Sequence, residues 1–113
     1  AEGGTYAGQF SDGDFDGEGT IFYHEGHEER HTDHHEGGAY TGQFVGGFRD
    51  GKGLWRSADG SRQYDGEWHY QVPHGEGVSE RRGLPGGGRW IYEGEHVAGQ
   101  PAGVGRCTYI AEP

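Results

Sequence analysis

The stretch His24 to Gly38, HEGHEERHTDHHEGG, carries five of the eight histidines of the chain and no apolar side chain. His24, His27, His31 and His34 stand three, four and three apart, a spacing that shares one face of a helix, and His27, His31 and His35 fall at successive turns. Imidazoles so placed can chelate Zn2+, Cu2+ or Ni2+, with Glu28 or Asp33 at hand as an oxygen ligand. A working metal centre also needs groups that orient its imidazoles, and the flanking sequence supplies none. Gly26 and the like-charged pair Glu29 and Asp33 weaken the helix. The plainer reading is a solvated polar loop that takes metal adventitiously, with no cofactor required. Clustered imidazoles titrate near neutrality, so a pH-dependent contact is a further reading.

Other chemistry finds less support. Gly46, Gly51 and Lys52 match the spacing of a phosphate loop, but Gly53 stands where Ser or Thr must hold magnesium. No dinucleotide fingerprint opens a helix. Cys107 lies in the register of Ile21 and Trp55 and reads as a small buried hydrophobe rather than a nucleophile. With 19 acidic residues, the closeness of any two assigns no role. The chain is expected to be non-catalytic. Arg81, Arg82 and Arg89 border a Gly-rich loop, RGLPGGGR, and form a basic island on an acidic protein. They read either as a solvated loop or as guanidinium forks that dock on a carboxylate-rich patch of a partner.

Whatever positions these groups must be built from little. The 113 residues make one domain at most. Hydrophobic residues are 29% of the chain and glycines number 26, too little aliphatic mass for a two-layer core. Aromatics reach 13%, far above what disordered chains hold. The net charge of −10 repels phosphate backbones, which disfavours nucleic acid, and direct binding to anionic lipid is disfavoured for the same reason. No apolar run approaches the ~20 residues of a membrane helix. No signal-peptide pattern is present. One cysteine excludes an intrachain disulfide and leaves the compartment open. The chain opens on Ala1 and holds no Met, which reads as a processed form or a fragment.

The aromatics recur in register. Tyr, Gly two residues on, an aromatic at four, and Gly at eleven and thirteen occur four times. The copies begin at Tyr6, Tyr40, Tyr64 and Tyr92, and His96 replaces the aromatic in the fourth. Gly13, Gly47 and Gly99 add a glycine at seven, where Gln71 departs. Each copy reads as a β-hairpin with Tyr, Gly and aromatic on one face by the two-residue period. Strand Tyr6–Phe10, turn Ser11–Asp16 and return strand Gly17–Tyr23 describe the first; Pro73 and Pro101 are expected to stiffen the last two turns. The return strand of the third is the poorest, because Ser79 stands where Ile21 and Trp55 stand in the first two.

At these residues the sequence resembles the MORN repeat (membrane occupation and recognition nexus), from about Tyr6 to Tyr109. The expected fold is all-β: one elongated, curved, single-layer antiparallel sheet of four hairpins in a single domain, residues 1–113. The repeats fall at about 6–23, 40–56, 64–81 and 92–110, with the His-rich insert at 24–38. Such proteins serve in cytoskeletal, axonemal, organellar and membrane-associated complexes, so the resemblance implies an intracellular structural or scaffold subunit with a protein partner. In some relatives the repeats flank a catalytic domain. A thin repeat sheet with unpaired end strands also calls for cover by a partner or by a second copy, as a homodimer. The ladder Tyr6, Phe10, Tyr40, Phe44, Tyr64, Trp68 and Tyr92 reads first as internal stacking and second as a partner-binding surface. A metal-binding protein acting through His27, His31 and His35 is the alternative. A regulatory module for an enzyme on another chain is a third reading.

Overall fold

A computed structural model describes residues 4–23, 38–83 and 87–111. They form eight strands: β1 (Gly4–Ser11), β2 (Asp14–Tyr23), β3 (Ala39–Val45), β4 (Phe48–Arg56), β5 (Arg62–His69), β6 (Val72–Arg81), β7 (Arg89–Val97) and β8 (Gln100–Ile110). All pair antiparallel in one open sheet whose spatial order is the chain order. The principal extents are 48 × 31 × 22 Å. No helix occurs among the described residues, and so none long and apolar enough to cross a membrane.

Each hairpin closes on two residues, both with positive φ: Asp12–Gly13, Gly46–Gly47, Tyr70–Gln71 and Ala98–Gly99. This is the primed turn whose twist matches the flanking strands. The turns are therefore tighter than the sequence indicates. Ser11 already pairs with Asp14, so Asp14 to Asp16 belong to the return strand. Pro73 and Pro101 lie beyond their turns, in strands, opposite Trp68 and His96. Proline is tolerated there because it sits close to the strand start.

Every hairpin carries the same irregularity. In the second, Gly42 pairs with Gly53 but Phe44 pairs with Arg49, so the return strand holds two extra residues. Gly51 takes up the bulge at φ 106°. The side chain of Gln43 lies over it and accepts the Lys52 N–H at 2.7 Å. Gln9 and Glu67 do the same for Glu18 and Glu76, at 2.7 and 2.8 Å. The glycine at thirteen has a different purpose. In the second repeat the Tyr40 ring lies flat on Gly53, where a Cβ would occupy its space. Room for an aromatic ring is thus cleared by the glycine at thirteen, whereas the glycine at eleven faces the Gln43 side chain.

The insert does not disturb pairing. β2 meets β3 with Ile21 opposite Tyr40, as β4 meets β5 with Trp55 opposite Tyr64. A second link joins successive repeats at their tips, where Gly47, Gln71 and Gly99 donate N–H to the carbonyls of Phe15, Arg49 and Pro73 at 2.9–3.0 Å. The core lies in the central repeats: Tyr40, Phe44, Trp55, Tyr64 and Trp68 are buried.

Candidate interaction face

The seven ladder aromatics and His96 form one continuous run of edge-to-face contacts. In order they are Phe10, Tyr6, Phe44, Tyr40, Trp68, Tyr64, His96 and Tyr92, with neighbouring centroids 4.7–5.4 Å apart and interplanar angles of 73–87°. This geometry sets positive ring edges against negative faces, and such pairs contribute about 0.5–1.5 kcal/mol each beyond area burial. Each tyrosine is tethered as well. Its hydroxyl donates to the backbone carbonyl three residues on: Tyr6 to Gln9, Tyr40 to Gln43, Tyr64 to Glu67 and Tyr92 to Glu95, at 2.7–3.0 Å. Burial pushes the Tyr64 hydroxyl up to about 12 and raises that of Tyr40 further. Both stay protonated donors.

The ladder residues divide by exposure. Tyr40, Phe44, Tyr64 and Trp68 are no more than 4% exposed, so they hold the sheet together and offer little surface to a partner. Tyr6 and Tyr92 are half-buried, and Phe10 is 59% exposed. Arg81 and Arg82 are exposed and Arg89 is half-buried; they sit at the edge opposite the hairpin tips, and Arg81 alone of the three lines a groove with ladder residues, Tyr64 and Trp68. His27, His31 and His35 lie outside the described residues. Among the described residues no cluster of three His, Cys, Asp or Glu could hold a metal ion. Cys107 is exposed rather than buried, because among the described residues β8 has a strand on one side only.

One buried contributor, Arg49, was not singled out by the sequence. Arg49 is 1% exposed and stands over the Trp68 ring at 4.7 Å, with the Tyr40 and Tyr23 rings at 5.7 and 5.6 Å. Its Nη2 donates to the Gln71 carbonyl at 2.6 Å, while its Nε and Nη1 have no hydrogen-bond partner among the described residues. Burial lowers its pKa, against the opposing pull of Tyr23 and Tyr40. The aromatic faces are what offset the desolvation of this cation. His96 and Ser79, both departures from the repeat pattern, bond to each other at 2.6 Å.

Ser79 is too small to cover the sheet as Trp55 does. The result is a groove of about 430 Å³ over the third and fourth repeats, floored by Tyr64 and Trp68 and walled by Trp55 and Trp90. Arg62 and Arg81 stand at its connection end. The Trp55 indole N–H is buried with no acceptor among the described residues, whereas that of Trp68 donates to the Gly53 carbonyl at 3.0 Å. The signal for the groove was the serine in an otherwise bulky register.

Fold and face together define a hairpin-repeat protein, in which each unit is completed by its neighbour. The MORN repeat model matches residues 6–28, 40–62, 64–83 and 92–110. The chain belongs to the MORN-repeat family, whose repeats generally act as modules of protein and membrane interaction. No curated protein matches the chain at a significant level.

Proposed function

We propose that this chain is a non-catalytic protein-interaction subunit of a larger assembly, presenting its sheet as a rigid docking platform. The supporting observation is the preformed groove over Tyr64 and Trp68, set on a sheet locked by the ring ladder and tyrosine tethers. A surface already held in place has little conformational freedom to lose on binding, which favours affinity. Trp and Arg, the residues at the groove's walls and mouth, are those that most often anchor protein interfaces. The test is recovery of the tagged chain from native extract by size fractionation and cross-linking. Co-migration with a saturable protein partner at fixed stoichiometry is expected. A folded chain that migrates alone at every concentration contradicts the proposal.

A further inference from the structure

The joints between repeats, β2 with β3, β4 with β5 and β6 with β7, are built alike. In each, the residue fifteen after one tyrosine stands opposite the next tyrosine: Ile21 and Tyr40, Trp55 and Tyr64, Ser79 and Tyr92. A ring contact crosses each joint, Tyr6 to Phe44, Tyr40 to Trp68 and Tyr64 to His96, at 4.7–5.2 Å. A tip hydrogen bond crosses it too, and in the last joint Gly99 N–H donates to the Pro73 carbonyl at 2.9 Å.

The two outermost strands of the described sheet, β1 and β8, carry the two halves of one more such joint. Phe10 is 59% exposed, whereas its counterparts Phe44, Trp68 and His96 are buried, each against the tyrosine of the repeat before. Tyr92 has no ring from a following repeat against it among the described residues. Gly13 holds the position of Gly99, and Pro101 that of Pro73. Cys107 is small, like Ser79, at the position that faces a tyrosine. Natural edge strands are blunted by charge and proline. β1, GTYAGQFS, has neither, in a chain of net charge −10. β8 has one charged residue, Arg106, and its proline is of a kind that the last joint already accommodates. In the register of the internal joints, Cys107 falls opposite Tyr6, Arg106 opposite Ala7 and Gly105 opposite Gly8, and no like charges meet.

We propose that a second copy of this chain docks head-to-tail, β8 of one copy pairing antiparallel with β1 of the next, so that the joint used within the chain is repeated between chains. The Pro101 carbonyl of one copy then accepts the Gly13 N–H of the next, and Phe10 closes on Tyr92. Two different edges meet, so the association is heterologous and continues into a series of copies. This surface is separate from the groove and adds a second contact to the interaction reading above.

The test is analytical ultracentrifugation of the purified full chain over a range of concentration. Salt at ~0.15 M screens the repulsion between acidic copies beyond about 8 Å. Masses at multiples of 12.3 kDa that grow with concentration are expected. Ala7→Arg sets an arginine against Arg106 of the next copy and should weaken the joint about fivefold, the upper range for a cross-strand charge pair. Adding Arg106→Glu makes the pair opposite in sign and should restore it. Ala7→Glu alone offers Arg106 an ion pair and should tighten the joint, against the trend that net charge sets. Phe10→Ala removes the ring contact to Tyr92 and should weaken the joint about tenfold, with β-sheet circular dichroism retained. A chain that stays at a single mass at every concentration overturns the proposal. So does association that is indifferent to the sign of the charge at residue 7, or that Arg106→Glu fails to restore in a folded chain, because a pairing of two β1 edges does not involve Arg106. Failure here leaves the groove reading standing, since that reading is tested on native extract and this one on the pure chain.

Discussion

Ser79 Oγ lies 2.6 Å from His96 Nε2, so two residues that break the repeat pattern compensate each other across β6 and β7. The other ring nitrogen, Nδ1, is 3.1 Å from the Gly94 carbonyl, which can only accept. Nδ1 therefore carries the proton and Nε2 accepts from the serine hydroxyl. Ser79→Ala leaves a buried acceptor unpaired and is expected to cost about 1–3 kcal/mol in urea unfolding. The double change Ser79→Ile, His96→Phe restores the apolar residues that Ile21 of the first repeat and Phe44 of the second supply at these positions. Its stability should exceed the sum of the single effects, and a double-mutant cycle measures the difference.

The same histidine sets a pH dependence. Burial holds His96 below its ordinary 6.5, against the raising effect of the Gly94 and Gly75 backbone bonds and Glu76. Above 6.5 both the folded and unfolded chains keep the ring neutral, and the contribution to stability is complete. As the pH falls past that value the unfolded chain takes up a proton first, and stability declines toward the lower folded pKa. Between about pH 8 and about pH 5 the wild-type chain should lose more stability than His96→Phe. Parallel curves for the two chains would remove His96 from the account.

The two kinds of repeat glycine should separate by mutation. Gly53→Ala places a methyl in the Tyr40 ring and disturbs its contacts with Phe44 and Trp68. A loss of about 3 kcal/mol is expected, the upper range for overpacking. Gly47, in the turn at φ 92°, has open space around it. Gly47→Ala meets only backbone strain and should cost about 1–2 kcal/mol. Equal losses in thermal or urea unfolding would contradict the ring-on-glycine packing.

Gln71 tolerates its left-handed turn position, φ 75°, because Arg49 holds it on three atoms. Its N–H donates to the Arg49 carbonyl at 3.0 Å, its Oε1 accepts the Arg49 N–H at 2.8 Å, and its carbonyl accepts from Nη2. Gln71→Ala keeps the strain and loses the side-chain bond, so it should destabilise by about 1–2 kcal/mol. Gln71→Gly relieves the strain and should be about 1 kcal/mol more stable than the alanine variant. Arg49→Ala opens a cavity beneath Tyr40 and Trp68, with an expected cost of about 3 kcal/mol, whereas Arg49→Met conserves volume and should cost less.

Much of this sheet is written in the spacing of its residues. Tyr40, Gly42, Phe44, Gly51 and Gly53 already define a hairpin and its apolar face, because ring, floor and bulge each admit few residue types. What was not legible depended on contacts between repeats. Nothing local to Arg49 shows that it enters the core, since its aromatic neighbours and Gln71 come from three other strands and a turn. Ser79 and His96 each read as a defect until they are placed side by side. The Gln or Glu three residues after each tyrosine was a regular feature of the sequence, but its meaning needs the bulge beside it. The arginine island was visible as Arg81, Arg82 and Arg89, whereas Arg56 and Arg62 join it only through strand pairing.

The most direct test of the interaction account is multi-angle light scattering on the tagged chain purified gently from native extract, with Trp90→Ala alongside. The account predicts a complex heavier than the 12.3 kDa chain, containing a partner at fixed stoichiometry and depleted in the variant while its β-sheet circular dichroism is retained. A chain that elutes folded at its own mass, in the presence of extract and at every concentration tried, would contradict it.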